Sequence, residues 1–585
     1  MHRSTAIFGM VTCGAVVALA GACGGGGDTA GSGAGGATSA SGGHAAGGGT
    51  AAGGATGAGG SGGNGPVTPT ASTWLGTNVS ADLPRLDVAY QLQPFDTPAA
   101  QKDANGYPIA GASGASRTDI GFVLPTGVYT LVYEGSGALS VSGIGTLMGS
   151  FTTVGGEHRG KVAITGTPGA FGNFLTLQIT NGPGQTVTGV RLIFPGHAPD
   201  EQGIFLPEFL RLLTPFRALR FMDWCATNDS TLSDWADRPQ AAHYGASGAG
   251  EPYEHIVALV NQTGKDAWIN VPEHATDDFI HAYAKFFATN LDFDAIAAAR
   301  AKQGITAPFR LIVEFSNETW NQGFSAYSTL LAEANADPAR YTGVYDGSYG
   351  PSWMSGSADL MKVGQVEGDH LAHIGEVFRA ELGSHADAVA PVLSGWALGA
   401  VYSDVALRFV AEHYGDPKKY VTYVALAPYF GADDAQTGAL DTLFASATAD
   451  IDAMDPTFQD FAKLAKAYGL EIAAYEGGQS LTGQTNQTIK HLAQHDARMR
   501  DTYDHYLALW KKDFGESTFM HFSLAGDPGL PESIYQYGYW GSILGVMEDP
   551  AQCGQGLPTL TGTEMIADVV HHCPKYQALQ EKVPK

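Results

Sequence analysis

Short apolar runs that stop abruptly on polar or aromatic residues recur from residue 216 onward, and several are followed by stretches with apolar residues at helical spacing. Strands are predicted over 217–224, 267–271, 309–315, 389–395, 421–429, 472–475 and 518–524, with an earlier one at 74–79. Helices are predicted over 251–263, from a Thr276 cap through Asp277 and Asp278 to residue 291, and over 357–382, 458–468 and 489–514. Runs apolar on both faces suit buried parallel strands. Eight of them, alternating with helices, predict an α/β chain folded as a (β/α)8 barrel.

Residues 119–195 break the pattern. About seven short strand-like runs follow one another there, separated by Gly, Pro and Asn turns with no helix between them. This predicts a small antiparallel β-sandwich inserted after the first barrel strand. Its aromatic residues Tyr129, Tyr133 and Phe174 are either core or a sugar-binding face. The divisions read from the chain are 1–23, an export signal; 24–71, a linker; 72–104, the first barrel strand and its connection; 105–196, the sandwich; 197–550, the barrel; and 551–585, a tail.

The signal has His2 and Arg3 ahead of an apolar segment too short for a membrane span, and it ends on Leu19-Ala-Gly-Ala-Cys23. That ending resembles a bacterial lipobox, which makes Cys23 a lipidation site and the chain's one route to a membrane; ordinary secretion with a free Cys23 is the alternative. The Gly, Ala, Ser and Thr of the linker lack apolar periodicity, so it reads as a flexible tether reaching roughly 35–40 Å.

The 585 residues, 44% of them hydrophobic, suffice for a sizeable core and more than one domain. With 32 basic against 58 acidic residues, the net charge of −26 argues against a nucleic-acid or anionic-membrane partner. Cys553 and Cys573 flank a short C-terminal segment and could pair once exported, which leaves Cys225 buried and single. No His or Cys spacing fits a metal, and phosphate-loop, dinucleotide and nucleophile-elbow motifs are missing, so no cofactor is expected.

Two strand ends carry chemistry. Phe309-Arg-Leu-Ile-Val-Glu-Phe-Ser-Asn-Glu-Thr-Trp-Asn321 sets an amide, a carboxyl and a flat aromatic face on one barrel rim; Leu470-Glu-Ile-Ala-Ala-Tyr-Glu-Gly-Gly-Gln479 ends a second strand on Glu476. Their separation leaves room for three strand–helix units, as strands four and seven require. Two such carboxyls suit glycoside chemistry. Glu314, on the same strand as Glu318 but deeper, is the rival carboxyl, expected to be buried and paired with a base.

An Asn-Glu pair ending strand four with a Glu ending strand seven resembles the clan A retaining glycoside hydrolases, which are TIM barrels. The chain is also similar to large secreted bacterial proteins often labelled cellulose-binding. That likeness rests on Val313-Glu-Phe-Ser-Asn-Glu-Thr-Trp-Asn321, Leu75-Gly-Thr-Asn-Val-Ser80, Leu219-Arg-Phe-Met-Asp-Trp224, and Asp266-Ala-Trp-Ile-Asn-Val-Pro272 with Ala275-Thr-Asp-Asp278. Glu273-His274 departs from it where His directly after the Pro is expected.

The resemblance implies that Glu318 is the acid and base, supported by Asn317, and that Glu476 is the nucleophile. It further implies Arg220 beside the nucleophile, with an ion pair of purely structural role as the alternative, and Tyr429 hydrogen-bonded to it, with a buried tyrosine as the alternative. A raised Glu318 pKa and a low Glu476 pKa are expected. Trp224, Asn270, His274, Trp320, Trp396 and Trp540 are the candidate substrate contacts, Trp540 within an aromatic cluster that includes Tyr535, Tyr537 and Tyr539. The expectation is a monomeric, exported retaining glycoside hydrolase acting on a polysaccharide or oligosaccharide, a β-linked plant or microbial glycan. A carbohydrate-binding barrel without turnover is the competing class.

Overall fold

The computed structural model describes residues 70–79, 84–118, 124–165, 174–245, 250–347, 349–525, 540–543, 551, 553, 559 and 573–584. The export signal, Cys23, the linker up to residue 69 and the tyrosines at 535, 537 and 539 lie outside them.

The first strand, β1 (Leu75–Asn78), belongs to the barrel and is followed by seven strands that do not. These are β2 (Ser113–Arg117), β3 (Gly127–Gly135), β4 (Ala138–Gly143), β5 (Gly145–Val154), β6 (Glu157–Ile164), β7 (Leu175–Thr180) and β8 (Val187–Ile193). They form two antiparallel sheets, ordered β2-β7-β4 and β5-β6-β3-β8. Strand alternation buries Leu131, Val162, Leu177, Ile179 and Leu192 between the sheets. Tyr129 and Tyr133 are buried as well, and Phe174 is half-buried. The sandwich has one strand ahead of the runs read from residue 119, β2, which is alternately buried, pairs with β7 along its whole length and lies within the predicted 105–196 division.

Two contacts dock the segment before the sandwich onto the barrel. Arg85 forms a two-pronged ion pair with Glu251 at 2.7 and 2.9 Å, with its guanidinium 3.8 Å over the Tyr90 ring. Phe95 stacks on Tyr244 at 4.4 Å.

The barrel resumes at β9 (Ala218–Arg220) and continues through β10 (Asp266–Val271), β11 (Leu311–Phe315), β12 (Val389–Ser394), β13 (Tyr423–Leu426), β14 (Glu471–Ala474) and β15 (Phe519–His521). All eight barrel strands are parallel, each is hydrogen-bonded to the next, and β15 returns to β1 through Leu75↔Phe519. This is the (β/α)8 barrel that the apolar runs predict, with shorter strands. The interior is filled by small residues, Ala218, Ala390, Ala425 and Ala473, around the larger Trp268, Ile312, Tyr475 and Met520.

Helices cover the outside. Asp277–Asn290 starts where the Thr276 hydroxyl accepts from the Phe279 N–H, with Asp277 and Asp278 in its first turn. Tyr253–Thr263 ends on Gly264 at φ 66°, where an added Cβ would lie 2.8 Å from the Ile296 carbonyl oxygen. The single helix predicted over 489–514 is instead two, Gln487–His495 and Ala497–Phe514. Asp496 between them is extended and accepts from the Arg498 N–H, so capping the second helix displaces continuation of the first.

Cys553 and Cys573 are disulfide-bonded, and Cys225 is free and buried. The terminal helix Pro574–Gln580 is pinned to the outside of the barrel by the Tyr576 hydroxyl, which donates to the Leu212 carbonyl at 2.9 Å.

Gly76 faces the packed interior, where an added Cβ would sit 2.3 Å from Met520 Sδ and 2.8 Å from the Ala218 carbonyl oxygen. The Met520 side chain can move, but the strand backbone cannot. Gly76→Ala is expected to destabilise the fold by about 1–3 kcal/mol, read as a lower urea midpoint with an unchanged m-value.

Candidate functional site

Barrel register builds the floor of the site. Asn78, Arg220 and Trp268 are level on β1, β9 and β10, and Asn270 is level with Glu314 on β10 and β11. All five are buried and close enough to share hydrogen bonds.

Arg220 is at the centre. Its Nε and one Nη donate to Glu314 Oε2 at 3.1 and 2.8 Å, and that Nη also donates to Asn317 Oδ1 at 2.7 Å. The other Nη donates to Asn78 Oδ1 at 3.1 Å and to Glu476 Oε1 at 2.6 Å. All five N–H groups of the guanidinium are therefore used. Glu314 Oε2 also accepts from the Trp268 indole and the Asn270 amide, each at 2.8 Å.

The chain leaves β11 through two residues in left-handed backbone, Ser316 at φ 52° and Glu318 at φ 44°. Consecutive residues of a regular strand face opposite ways. Here the two left-handed residues turn both Asn317 and Glu318 inward. Such conformations cost roughly 1–3 kcal/mol each and persist where surrounding contacts impose them. Asn317 supplies those contacts by accepting from Arg220 and donating to Asn228 at 2.9 Å.

Glu318 is 8% exposed and accepts from the Asn321 amide at 2.9 Å and the Tyr475 hydroxyl at 3.3 Å. Burial first, and the neighbouring Glu476 carboxylate second, push its pKa up to about 8. Glu476 accepts from Arg220 and from the Tyr429 hydroxyl at 2.9 Å. Burial raises its pKa too, against Arg220 and Tyr429, which lower it. The low value expected for Glu476 is thus not reached: Arg220 is shared with Glu314, and one cation cannot offset the desolvation of two carboxylates. Glu476 still ionises ahead of Glu318, because only Glu476 touches the guanidinium. The site can hold one ionised and one protonated carboxyl side by side at neutral pH.

The proposed substrate contacts divide. Trp224 is 1% exposed and packs among Phe205, Phe209 and Phe221; β9 ends at Arg220, so strand alternation does not carry Trp224 to the rim, and it is core. Asn270 is wholly buried, with its amide nitrogen donating to Glu314 and the Ser316 carbonyl, so it holds the site together and has no exposed face for a sugar. Trp320 is 4% exposed beneath Trp396 and likewise presents no open face. Trp396 and Trp540 are half-buried, the latter edge-on to Phe522 at 5.7 Å. His274 is exposed after β10, 3.4 Å from Glu273.

Several participants escaped the sequence reading. Trp268 is two residues before Asn270 on one strand face, and Asn321 follows Glu318 by one turn within the same motif; both spacings carried a signal. Tyr475 adjoins Glu476 in sequence yet reaches across to Glu318. Asn228 lies in the loop after β9 and carried no signal.

No family model and no curated protein matches the chain. Among solved structures it is similar to an arabinofuranosidase from Xanthomonas axonopodis pv. citri, at 12% identity over 56% of this chain and 62% of that one, TM-score 0.32. It is similar to an endo-1,4-β-xylanase from Penicillium canescens at 14% identity over 67% and 93%, TM-score 0.29. An endo-β-1,4-mannanase from Cellulomonas fimi is similar at 14% over 55% and 62%, TM-score 0.23. The chain thus spans less than two thirds of the arabinofuranosidase and of the mannanase. Likeness at this level bears on neither activity nor substrate.

A buried carboxyl with a raised pKa makes stability fall with pH, because between the unfolded value of 4.5 and about 8 the folded chain holds a proton that the unfolded chain has released. Glu318→Gln removes that term. The variant is expected to gain on the wild type as pH rises from about 4.5 to 8, by up to about 5 kcal/mol, and to hold a constant offset above that range; denaturant melts at pH 5, 7 and 9 measure it.

Proposed function

We propose that the protein is a retaining glycoside hydrolase acting on a β-linked plant or microbial polysaccharide. The observation that carries this reading is the asymmetric carboxyl pair: Glu476 held by Arg220 and Tyr429, and Glu318 without a cation and with its pKa near 8.

In the first step the ionised Glu476 attacks the anomeric carbon. Glu318 gives its proton to the glycosidic oxygen as the bond to the leaving sugar breaks, leaving a glycosyl ester on Glu476. Glu318, now ionised, takes a proton from water, which attacks the same carbon and releases Glu476 as carboxylate. The Tyr475 and Asn321 donors steady Glu318 through its ionised phase. The Asn317 amide, oriented by Arg220 and Asn228, has a second N–H for the sugar's 2-hydroxyl, where a hydrogen bond strengthens as charge develops. Glu314 neutralises Arg220 from below and does not react. Export, a Cys23 lipid anchor and a monomeric state complete the proposal, on the order of signal, lipobox-like ending and linker.

The test is reducing-sugar release from cellulose, xylan, mannan, galactan and arabinan. Glu318→Gln is expected to lower release by about 10²–10⁴-fold on the cleaved polymer, and Glu476→Gln by at least about 10³-fold. Binding without release by the wild type would favour a carbohydrate-binding barrel instead. A further prediction is that kcat/KM falls above about pH 8 as Glu318 loses its proton. Proton NMR of the first product should show the substrate's anomeric configuration kept, and inversion would overturn the double displacement.

A further inference from the structure

Three tryptophans extend outward from the Glu318 side of the site. Trp320, two residues after Glu318, lies parallel to Trp396 with ring centroids 4.9 Å apart and 8° between planes. Trp353 meets Trp396 edge-on, at 5.4 Å and 79°, and is 57% exposed. It sits on the short turn Ser352–Ser355, whose next residue, Met354, is wholly buried and anchors the turn. The loop before that turn touches the loop after β12: an added Cβ at Gly399 would lie 3.0 Å from both the Gly350 Cα and the Pro351 ring. Leu398, 51% exposed, belongs to the same loop. Isolated exposed apolar residues are ordinary, but these continue a buried aromatic row that begins beside a reactive carboxyl. The Nε1–H groups of Trp320 and Trp396 are buried with no hydrogen-bond partner, two donors set into that row.

We infer that Trp353, backed by Trp396, is a stacking platform for sugar rings on the leaving-group side of the cleaved bond, so that the substrate is a chain whose leaving part extends beyond a single sugar. This rests on the hydrolase reading. The side follows from the chemistry: the acid protonates the leaving oxygen and stands on its side, while the nucleophile faces the other sugar. Trp320 and Trp396 belong to the loops after β11 and β12, and Trp353 to the β11–β12 connection between the helices Ser325–Ala336 and Ala358–Leu382, on the side of Glu318, whereas Glu476 has Tyr429 as its aromatic neighbour. A pyranose presents one face of C–H bonds, and a held indole packs against such a face with little entropy left to lose.

The experiment compares wild type, Trp353→Ala and Trp353→Phe on oligosaccharides of two to six units from whichever polysaccharide is cleaved, with the 4-nitrophenyl glycoside of the same sugar as reference. For Trp353→Ala the ratio of kcat/KM on the six-unit chain to that on the aryl glycoside is expected to fall roughly tenfold. KM should carry the loss, Trp353→Phe should recover part of it, and the Tm should stay within the range of an exposed substitution. A ratio unchanged from wild type, or a loss equal on both substrates, overturns the platform while leaving the hydrolase reading intact. Failure of the wild type to cleave any of these substrates overturns the hydrolase reading, and the platform with it.

Discussion

A buried arginine with every N–H group committed is the constraint on which the site depends. Arg220 is fully buried, and desolvating a guanidinium is costly unless carboxylates and amide oxygens surround it. Glu314, Glu476, Asn317 and Asn78 meet that demand from three different strands and their ends. The cation therefore sets the ionisation of its partners, and they set that of the next group out. Glu318 keeps its proton first because burial penalises its charge, and second because Glu476 already places a negative charge beside it. Removing Arg220 would disturb groups it never touches.

Behind Glu318 a second buried carboxyl repeats the theme without a cation. Glu367, on the helix Ala358–Leu382, accepts from the Thr319 hydroxyl and from the Tyr402 hydroxyl at 2.6 Å, and burial pushes it up to about 8. Thr319 is the residue after Glu318. The helix layer thus grips the left-handed turn from outside while Arg220 grips it from inside through Asn317. Backbone strain at Ser316 and Glu318 is sustained by polar contacts on both sides.

Much of this was legible from one chain, for physical reasons. A strand buried on both faces has to be apolar and has to stop where the barrel opens to water, so β11 and β14 announce their ends, and with them Glu318 and Glu476. Side-chain direction beyond the strand ends was not legible. Trp224 and Trp320 have the composition of sugar-stacking residues, but a turn after β9 and the Trp396 ring over Trp320 make one core and the other covered. Asn270 was read as a sugar contact, but it is wholly buried and its amide donates to Glu314 on the adjacent strand, 44 residues further along. The helix break at Asp496 is the opposite case: a local cap was present in the sequence and apolar spacing concealed it.

The insertion of a whole sandwich between β1 and β9 separates the two ends of the barrel by most of the chain. Leu75 pairs with Phe519, and the Asn78 amide donates to the carbonyls of Tyr475 and His521 while its oxygen serves Arg220. Contacts between positions so distant in sequence form late, after nearer pairings have collapsed. During synthesis, the strand that is made first waits for the strand that is made last, and the sandwich can fold in the interval. One acceptor of Arg220 is then firmly positioned only when the barrel has closed around it, so a chain cut short before β15 has no closed barrel and a guanidinium without its full set of held acceptors. Assembly of the reactive centre and completion of the polypeptide become a single event.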